Sequence, residues 1–370
     1  MQFCCEKYEL QSACSIASRA VASKSPLPAL EGLLLKADNG LTVMGYDLKE
    51  GIYTSVEAEV QQIGSVVVGA RLFNEMIRRL PDGRVTVSSD EKDNIKVRCG
   101  KSEYNFMGIN AADYPSLPSV DGLNNISIPQ GLLRSMIDET IFAVATNDSR
   151  PIYTGTLFDI EDDQLTLVSV DGFRLAKRRE KIENGQMENC SFIVPGAALS
   201  DVGRICSDGE ENVAISVGAK HITFCIDKTV IVSRRLEGEF LNYKKSIPEQ
   251  FKFEVKVDRN EFMSTIDRIS LFVSEKTSSP VRLNFVDDQI NCNCVTAAGN
   301  AEDICTSVGT GEGLTIGFND KYIRDALKAA SKDELIICLN TASSPCVIKA
   351  ADGDTGFIYM ILPVRLKSDN

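Results

Sequence analysis

The chain has 370 residues, too many for one ordinary core, and its 43% hydrophobic and 25% charged composition is that of a soluble globular protein of two or three domains. Forty Lys and Arg against 52 Asp and Glu give a net charge of −12. That excludes a surface that coats nucleic acid everywhere, yet an acidic exterior is compatible with a local basic strip. No apolar run approaches the ~20 residues of a membrane-spanning helix. The opening Met1-Gln2-Phe3-Cys4-Cys5-Glu6-Lys7 lacks the basic-then-apolar pattern of a signal peptide, so a cytoplasmic protein without a membrane partner is expected.

Taken in chain order, the elements repeat. Leu10, Cys14, Ala17 and Val21 form one stripe of an amphipathic helix. Leu133, Ile137, Thr140 and Val144 reproduce its offsets, and so do Phe262, Ile266, Ile269 and Val273. A proline (Pro28, Pro151, Pro280) stands 18 residues after the first member of each stripe. Strand-like runs follow: Gly32–Ala37 and Leu41–Gly45, Thr154–Ile160 and Leu165–Val170, Val281–Val286 and Gln289–Val295. Polar turn residues separate the members of each pair, as in Asp38-Asn39-Gly40 and Asp287-Asp288. A second helical stripe comes next, at Phe73, Ile77 and Leu80, at Leu199, Gly203 and Cys206, and at Ile323, Leu327 and Ala330. Further strands such as Arg84–Ser88 and Asn94–Cys99 close the unit. The pattern predicts an α+β protein of three repeated domains, 1–121, 122–248 and 249–370, with boundaries near 120–125 and 248–251.

Motifs for chemistry are absent. Gly309-Thr310-Gly311-Glu312-Gly313 is glycine-rich but lacks the Lys-Ser/Thr and following helix of a phosphate cradle, and reads as a flexible hairpin. The one histidine, His221, sits in an alternating strand-like run without a nucleophile motif and is expected at a sheet surface. Twelve cysteines, Cys292 and Cys294 among them two apart in a strand-like run, do not make a zinc site beside a single histidine and are expected to be buried thiols, so no metal or cofactor is expected. The residues alone leave open an enzyme on repeated α+β units, or a repeat scaffold that never meets DNA.

Several runs are recognisable together. Arg150-Pro151-Ile152-Tyr153-Thr154-Gly155 and Val170-Asp171-Gly172-Phe173-Arg174-Leu175-Ala176 resemble the central domain of the bacterial DNA polymerase III beta subunit family. Leu27-Pro28-Ala29-Leu30 is similar to its first domain, and Ile316-Gly317-Phe318-Asn319 and Tyr359-Met360-Ile361-Leu362-Pro363-Val364-Arg365-Leu366 to its third. The resemblance implies a non-catalytic DNA sliding clamp: a head-to-tail homodimer closed into a ring around double-stranded DNA, helices inside and sheets outside. It implies partners too, namely the replicative polymerase alpha subunit, the clamp loader complex, and other replication and repair proteins. Weak, sequence-independent phosphate contacts suit such a ring. The second-helix windows 70–80, 196–206 and 320–330 carry seven basic against four acidic residues, reversing the overall bias.

By resemblance the DNA-contact positions are Lys24, Arg71, Asn147, Arg150, Pro151 and Ile152, the last two being apolar here, while a basic pair after Pro195 has become Gly196-Ala197. The pocket for partner peptides would be walled by Gly172, Phe173, Arg174, Leu175, Leu241, Ser246, Asn319, Pro345, Met360 and Leu362, with Tyr153 nearby. Phe173 replaces a more polar family residue. The dimer interface would set Tyr104 and Phe106 of one subunit against Leu271 and Phe272 of the other, with Lys101 opposite Glu302 or Asp303 at its rim.

Overall fold

The computed structural model describes all residues except 120–123, 148, 183–188, 274–278, 354–355 and 367–370. The first boundary expected from the sequence, between 121 and 122, lies outside the described residues. In the first third the order is β1 (Gln2–Glu6), α1 (Lys7–Ala17), β2 (Gly32–Ala37), β3 (Leu41–Tyr46), β4 (Glu50–Val56), β5 (Glu59–Gln62), β6 (Gly64–Gly69), α2 (Ala70–Arg79), β7 (Arg84–Ser89), β8 (Asn94–Cys99) and β9 (Ser102–Met107). The second brings β10 (Asn124–Pro129), α3 (Gln130–Asp138), β11 (Gly155–Glu161), β12 (Gln164–Val170), β13 (Arg174–Lys181), β14 (Cys190–Pro195), α4 (Gly196–Ile205), β15 (Asn212–Val217), β16 (His221–Ile226), β17 (Thr229–Arg234) and the short α5 (Tyr243–Ser246). The third consists of β18 (Phe253–Asp258), α6 (Arg259–Ser270), β19 (Val281–Val286), β20 (Gln289–Thr296), β21 (Gly299–Val308), β22 (Leu314–Phe318), α7 (Asp320–Ala329), β23 (Glu334–Leu339), β24 (Cys346–Ala350) and β25 (Phe357–Ile361).

Each helical stripe runs past the end of its helix. Val21, Val144 and Val273 all lie beyond the helical turns, and Thr140 sits just after α3, where its hydroxyl donates to Met136 O at 2.8 Å. Beyond the helix the 3.6-residue spacing no longer applies, yet Val21 and Val273, half-buried, still pack against the cores that their helices cover. The helices themselves bury the expected faces, Leu10, Cys14 and Ala17 on α1 and Phe262, Ile266 and Ile269 on α6.

Compactness divides the chain into two units, Met1–Arg134 with Asp201–Arg235, and Ser135–Ser200 with Leu236–Asn370. The middle repeat is thus shared between them. Strand pairing is the cause. In the first unit β17 pairs antiparallel with β4 (Ile231 facing Ile52), giving one eight-stranded sheet in the order β10-β15-β16-β17-β4-β3-β2-β6, beside a five-stranded sheet β5-β1-β7-β8-β9. In the second unit β13 pairs with β25, and twelve strands run β14-β11-β12-β13-β25-β24-β23-β18-β21-β20-β19-β22.

The Gly309–Gly313 segment is not a hairpin. It joins β21 to β22, which two other strands separate in the sheet, so it crosses over the sheet end. A Cβ on Gly311 would lie 2.5 Å from Phe285 Cβ, so only glycine lets the backbone pass there. All twelve cysteines are free thiols; Cys292 and Cys294 are both buried from β20, and burial pushes the Cys206 thiol up to about 11, keeping it protonated and unreactive at neutral pH. His221 heads β16, half-buried, and burial together with Arg234 and Lys220 holds it below its ordinary value.

Candidate functional site

The site grows from a tight turn between β12 and β13. Asp171 Oδ1 accepts from the backbone amides of Phe173 (2.9 Å) and Arg174 (3.0 Å), closing an Asx-type turn. Gly172 has φ +96°, which an L side chain adopts only with strain. The turn sends neighbouring side chains opposite ways. Phe173 projects outward and is 61% exposed, whereas Arg174 is buried to 7%.

Arg174 is no surface charge. Its Nε donates to Asp171 Oδ2 at 3.0 Å, Nη1 to Asp325 Oδ2 at 2.6 Å and Nη2 to Phe142 O at 2.6 Å. The guanidinium also lies over the rings of Phe142 (5.3 Å) and Tyr322 (4.6 Å). One planar, five-donor group thus ties α7 and the 141–143 turn to the sheet, as a point-charge lysine could not. Tyr322 in turn stacks against Phe173, with centroids 6.4 Å apart and planes at 22°. Asp171, Asp325, Phe142 and Tyr322 were not legible as a set. The Asp-Gly pair marks a turn, but nothing in the sequence ties Arg174 to an aspartate 151 residues away.

Leu175 begins the apolar floor. It faces Met360 across β13 and β25, and Met360 faces Val347 across β25 and β24. Leu175 and Met360 are buried in one cluster with Tyr153, Val170, Val347 and Tyr243, and Leu241 packs against it. Tyr153 meets Phe240 edge-on at 5.8 Å. Pro345 immediately precedes β24, and Ser246 closes α5, its hydroxyl donating to Asn242 O at 2.9 Å. At the other side Asn319 caps α7, accepting from Lys321 N at 3.0 Å, and Leu362 N donates to Phe173 O at 2.8 Å. Leu362 itself, one residue past the end of β25, is half-buried, and its side chain is not among those of the Leu175–Met360 cluster.

The other expected positions divide. Lys24 and Arg71 are exposed, Arg71 in the first turn of α2. Asn147 and Arg150 are exposed in the segment before Pro151; Asn147 Oδ1 accepts from Ser149 Oγ at 2.6 Å, and Arg150 lies over the Tyr153 ring at 5.6 Å. Pro151 is exposed, but Ile152 is half-buried and packs against the Tyr153 cluster, so it faces the core rather than a phosphate. Tyr104 is 39% exposed on β9, the edge strand of the five-stranded sheet, and Phe106 is half-buried against Phe73 at 6.4 Å. Leu271 and Phe272, just after α6, are 82% and 37% exposed. Asp303 is taken by Arg268 within the chain (2.5 Å), which holds its carboxyl below the usual range; Lys101 and Glu302 are exposed.

Comparison with known proteins decides what the three repeats are. Residues 1–118, 127–242 and 244–365 match the N-terminal, central and C-terminal domains of the DNA polymerase III beta subunit in turn. The chain belongs to the DNA polymerase III beta subunit family. It is therefore a DNA sliding clamp, a non-catalytic processivity subunit of the replicative polymerase. It is 30% identical to the beta sliding clamp of Bacillus subtilis (99% of this chain, 100% of the relative) and 30% identical to that of Staphylococcus aureus (94% of each). The solved B. subtilis DNA polymerase sliding clamp superposes with a TM-score of 0.95 at 30% identity, covering 99% of this chain and 100% of that one. A putative DNA polymerase III beta subunit from Eubacterium rectale gives 0.94 at 31%, covering 98% and 99%.

Proposed function

We propose that the Gly172–Leu175 turn and the Leu175–Met360 sheet face form the docking pocket for short peptides of replication and repair partners, the polymerase alpha subunit and clamp loader among them. The observation that carries this is the pairing of an apolar floor with a fixed rim. Leu175 and Met360 face each other in register, and Phe173 stands exposed beside them, stacked on Tyr322 above the Arg174 hub. A rim held by a buried ion pair costs little further ordering when a peptide lands, and apolar anchors gain roughly 25 cal/mol per Å² buried. Gly172, Asn319, Pro345, Leu241, Ser246 and Tyr153 bound the site, with Leu362 at its edge through its backbone. The flexible thioether of Met360 suits repacking against several partners.

Two copies close head to tail into a ring around double-stranded DNA in the cytoplasm, and the three domains run 1–121, 122–248 and 249–370. Tyr104 and Phe106 of one subunit meet Leu271 and Phe272 of the other. Large exposed apolar side chains at a sheet edge and after a helix end support that pairing, since monomeric surfaces seldom carry them together. Lys24, Arg71, Asn147 and Arg150, all exposed, face the phosphates, with Pro151 beside them; Ile152 serves the fold instead.

Met360→Asp places an unpaired carboxylate on an apolar floor and is expected to weaken polymerase-derived peptide binding about 100-fold or more, measured by fluorescence anisotropy. Phe173→Ala, at an exposed position, tests the same rim without touching the core. Full-strength binding by both folded variants would move the partner site elsewhere. Leu271→Ala with Phe272→Ala is expected to give monomers in sedimentation; an unchanged dimer would relocate the interface.

A further inference from the structure

We infer that the pocket continues into a second, basic compartment that seats an acidic flank of the partner peptide. The inference rests on the pocket reading above and extends it along the same sheet face. Leu175 faces Met360, and two residues further along the same strands Lys177 faces Ile358. Side chains two apart share a face, so the apolar floor runs directly into the row that holds Lys177. There the sheet and the segment after β17 enclose a groove of about 380 Å³. Lys177, Arg179 and Lys349 line it from the strands, and Tyr243, Ile247 and Phe251 from the segment.

The charge in this groove opposes that of the chain. Its lining carries four cations, the fourth being Lys244, against a single carboxylate, Glu249, in a protein of net charge −12. Two of the cations are already answered: Lys349 pairs with Glu254 at 2.8 Å, and Lys244 with Glu161 and with Asp159 at 3.4 Å. The other two are not. Among the described residues Lys177 and Arg179 form no ion pair, and Arg179 Nε reaches only Thr166 Oγ1, at 3.4 Å. Lys177 is half-buried, and its ammonium is held below its ordinary pKa by burial and then by the charges of Arg179 and Lys244. A carboxylate arriving there would relieve a local excess of positive charge. The apolar remainder of the lining (Tyr243, Ile247, Phe251, Val347, Ile358) suits a peptide better than a bare phosphate chain. An extended peptide advances about 3.4 Å per residue, so an acid two or three residues beyond the last apolar anchor comes over Lys177.

The test uses the full-length protein and three fluorescent peptides. One carries the apolar anchors with neutral flanks, the second adds Asp-Asp beyond the anchors at its N-terminal end, and the third adds it at the C-terminal end. One acidic peptide is expected to bind about three- to tenfold tighter than the neutral one at low salt, the strength of two partly exposed ion pairs. The gain fades as salt rises and disappears in Lys177→Ser with Arg179→Ser, while the neutral peptide binds that variant as it binds the wild type. Lys177→Gln, which keeps most of the stem, replaces the double variant if the latter does not fold. Neutral-peptide binding with no acidic gain, or a gain that survives both substitutions, overturns the groove and leaves the pocket intact. Absence of neutral-peptide binding brings down the pocket and the groove together. Binding of a short oligothymidylate that is lost in the same variants would overturn the peptide assignment in favour of nucleic acid.

Discussion

Two turns in this chain are built alike and end differently. In the first repeat Asp47 Oδ1 accepts from the amides of Lys49 (2.8 Å) and Glu50 (2.7 Å), just as Asp171 Oδ1 does from those of Phe173 and Arg174. The second residue of each turn has positive φ, Leu48 at 74° and Gly172 at 96°. The third side chain is exposed, Lys49 or Phe173, and the fourth is buried, Glu50 at 9% and Arg174 at 7% exposure. The same backbone device therefore delivers a charge into the protein twice. Arg174 meets two aspartates, a carbonyl and two rings. Among the described residues Glu50 Oε1 meets no hydrogen-bond partner, and burial, with Asp201 and Asp47 nearby, pushes its carboxyl up to about 8. In the third repeat the corresponding turn has Thr296, whose Oγ1 accepts from Ala298 N at 3.2 Å, and ends on uncharged Gly299. A repeated turn fixes where a side chain goes; its surroundings decide whether the charge it carries supports the fold or burdens it.

Removing the supported charge is expected to have the largest effect. Arg174→Met leaves Asp171 and Asp325 without their partner and is expected to lower stability by about 3 kcal/mol in chemical denaturation, because a carboxylate stripped of a buried cation keeps its desolvation cost. It also frees Tyr322 and Phe173, so peptide affinity falls with it. If stability is unchanged, the hub is decoration and the comparison fails.

Removing the burdened charge is expected to act in the opposite direction, and increasingly so as pH rises above 4.5. Between pH 4.5, the ordinary carboxyl value, and about 8, the folded chain keeps a proton on Glu50 that the unfolded chain has released. Stability from this group therefore falls as pH rises through that window. Glu50→Gln is expected to match the wild type in thermal unfolding near pH 4.5 and to be about 2 kcal/mol more stable at pH 9. Equal Tm values at both pH values would mean that Glu50 finds a partner when ionised.

The smallest effects sharpen the backbone half of the comparison. No atom lies within 4 Å of a Cβ built on Gly172, so Gly172→Ala tests conformation alone and is expected to cost about 1 kcal/mol. Leu48, 52% exposed, gains the freedom that Gly172 already has, and Leu48→Gly is expected to add about 0.5 kcal/mol after the entropy of the added glycine is subtracted. The same sign from both substitutions would show that the two turns are not equivalent.

Much of this protein was determined by the sequence itself. The strands Gly32–Ala37 and Val281–Val286 and the buried faces of α1, α2, α6 and α7 follow from local periodicity, which any chain folding around a nearby core must obey. The three repeats and the family they resemble were legible for the same reason, as were most of the residues now found together around Leu175. The tertiary structure alone decided how the middle repeat is shared, through pairing of β17 with β4 and of β13 with β25. It alone decided that Gly309–Gly313 crosses the sheet end, that Ile152 faces inward, and that Arg174 is a buried hub while the Oε1 of Glu50 in the matching turn has no hydrogen-bond partner among the described residues. These outcomes depend on which groups far apart along the chain meet in space, as Arg174 and Asp325 do, and alternation or spacing along the chain carries no record of such meetings.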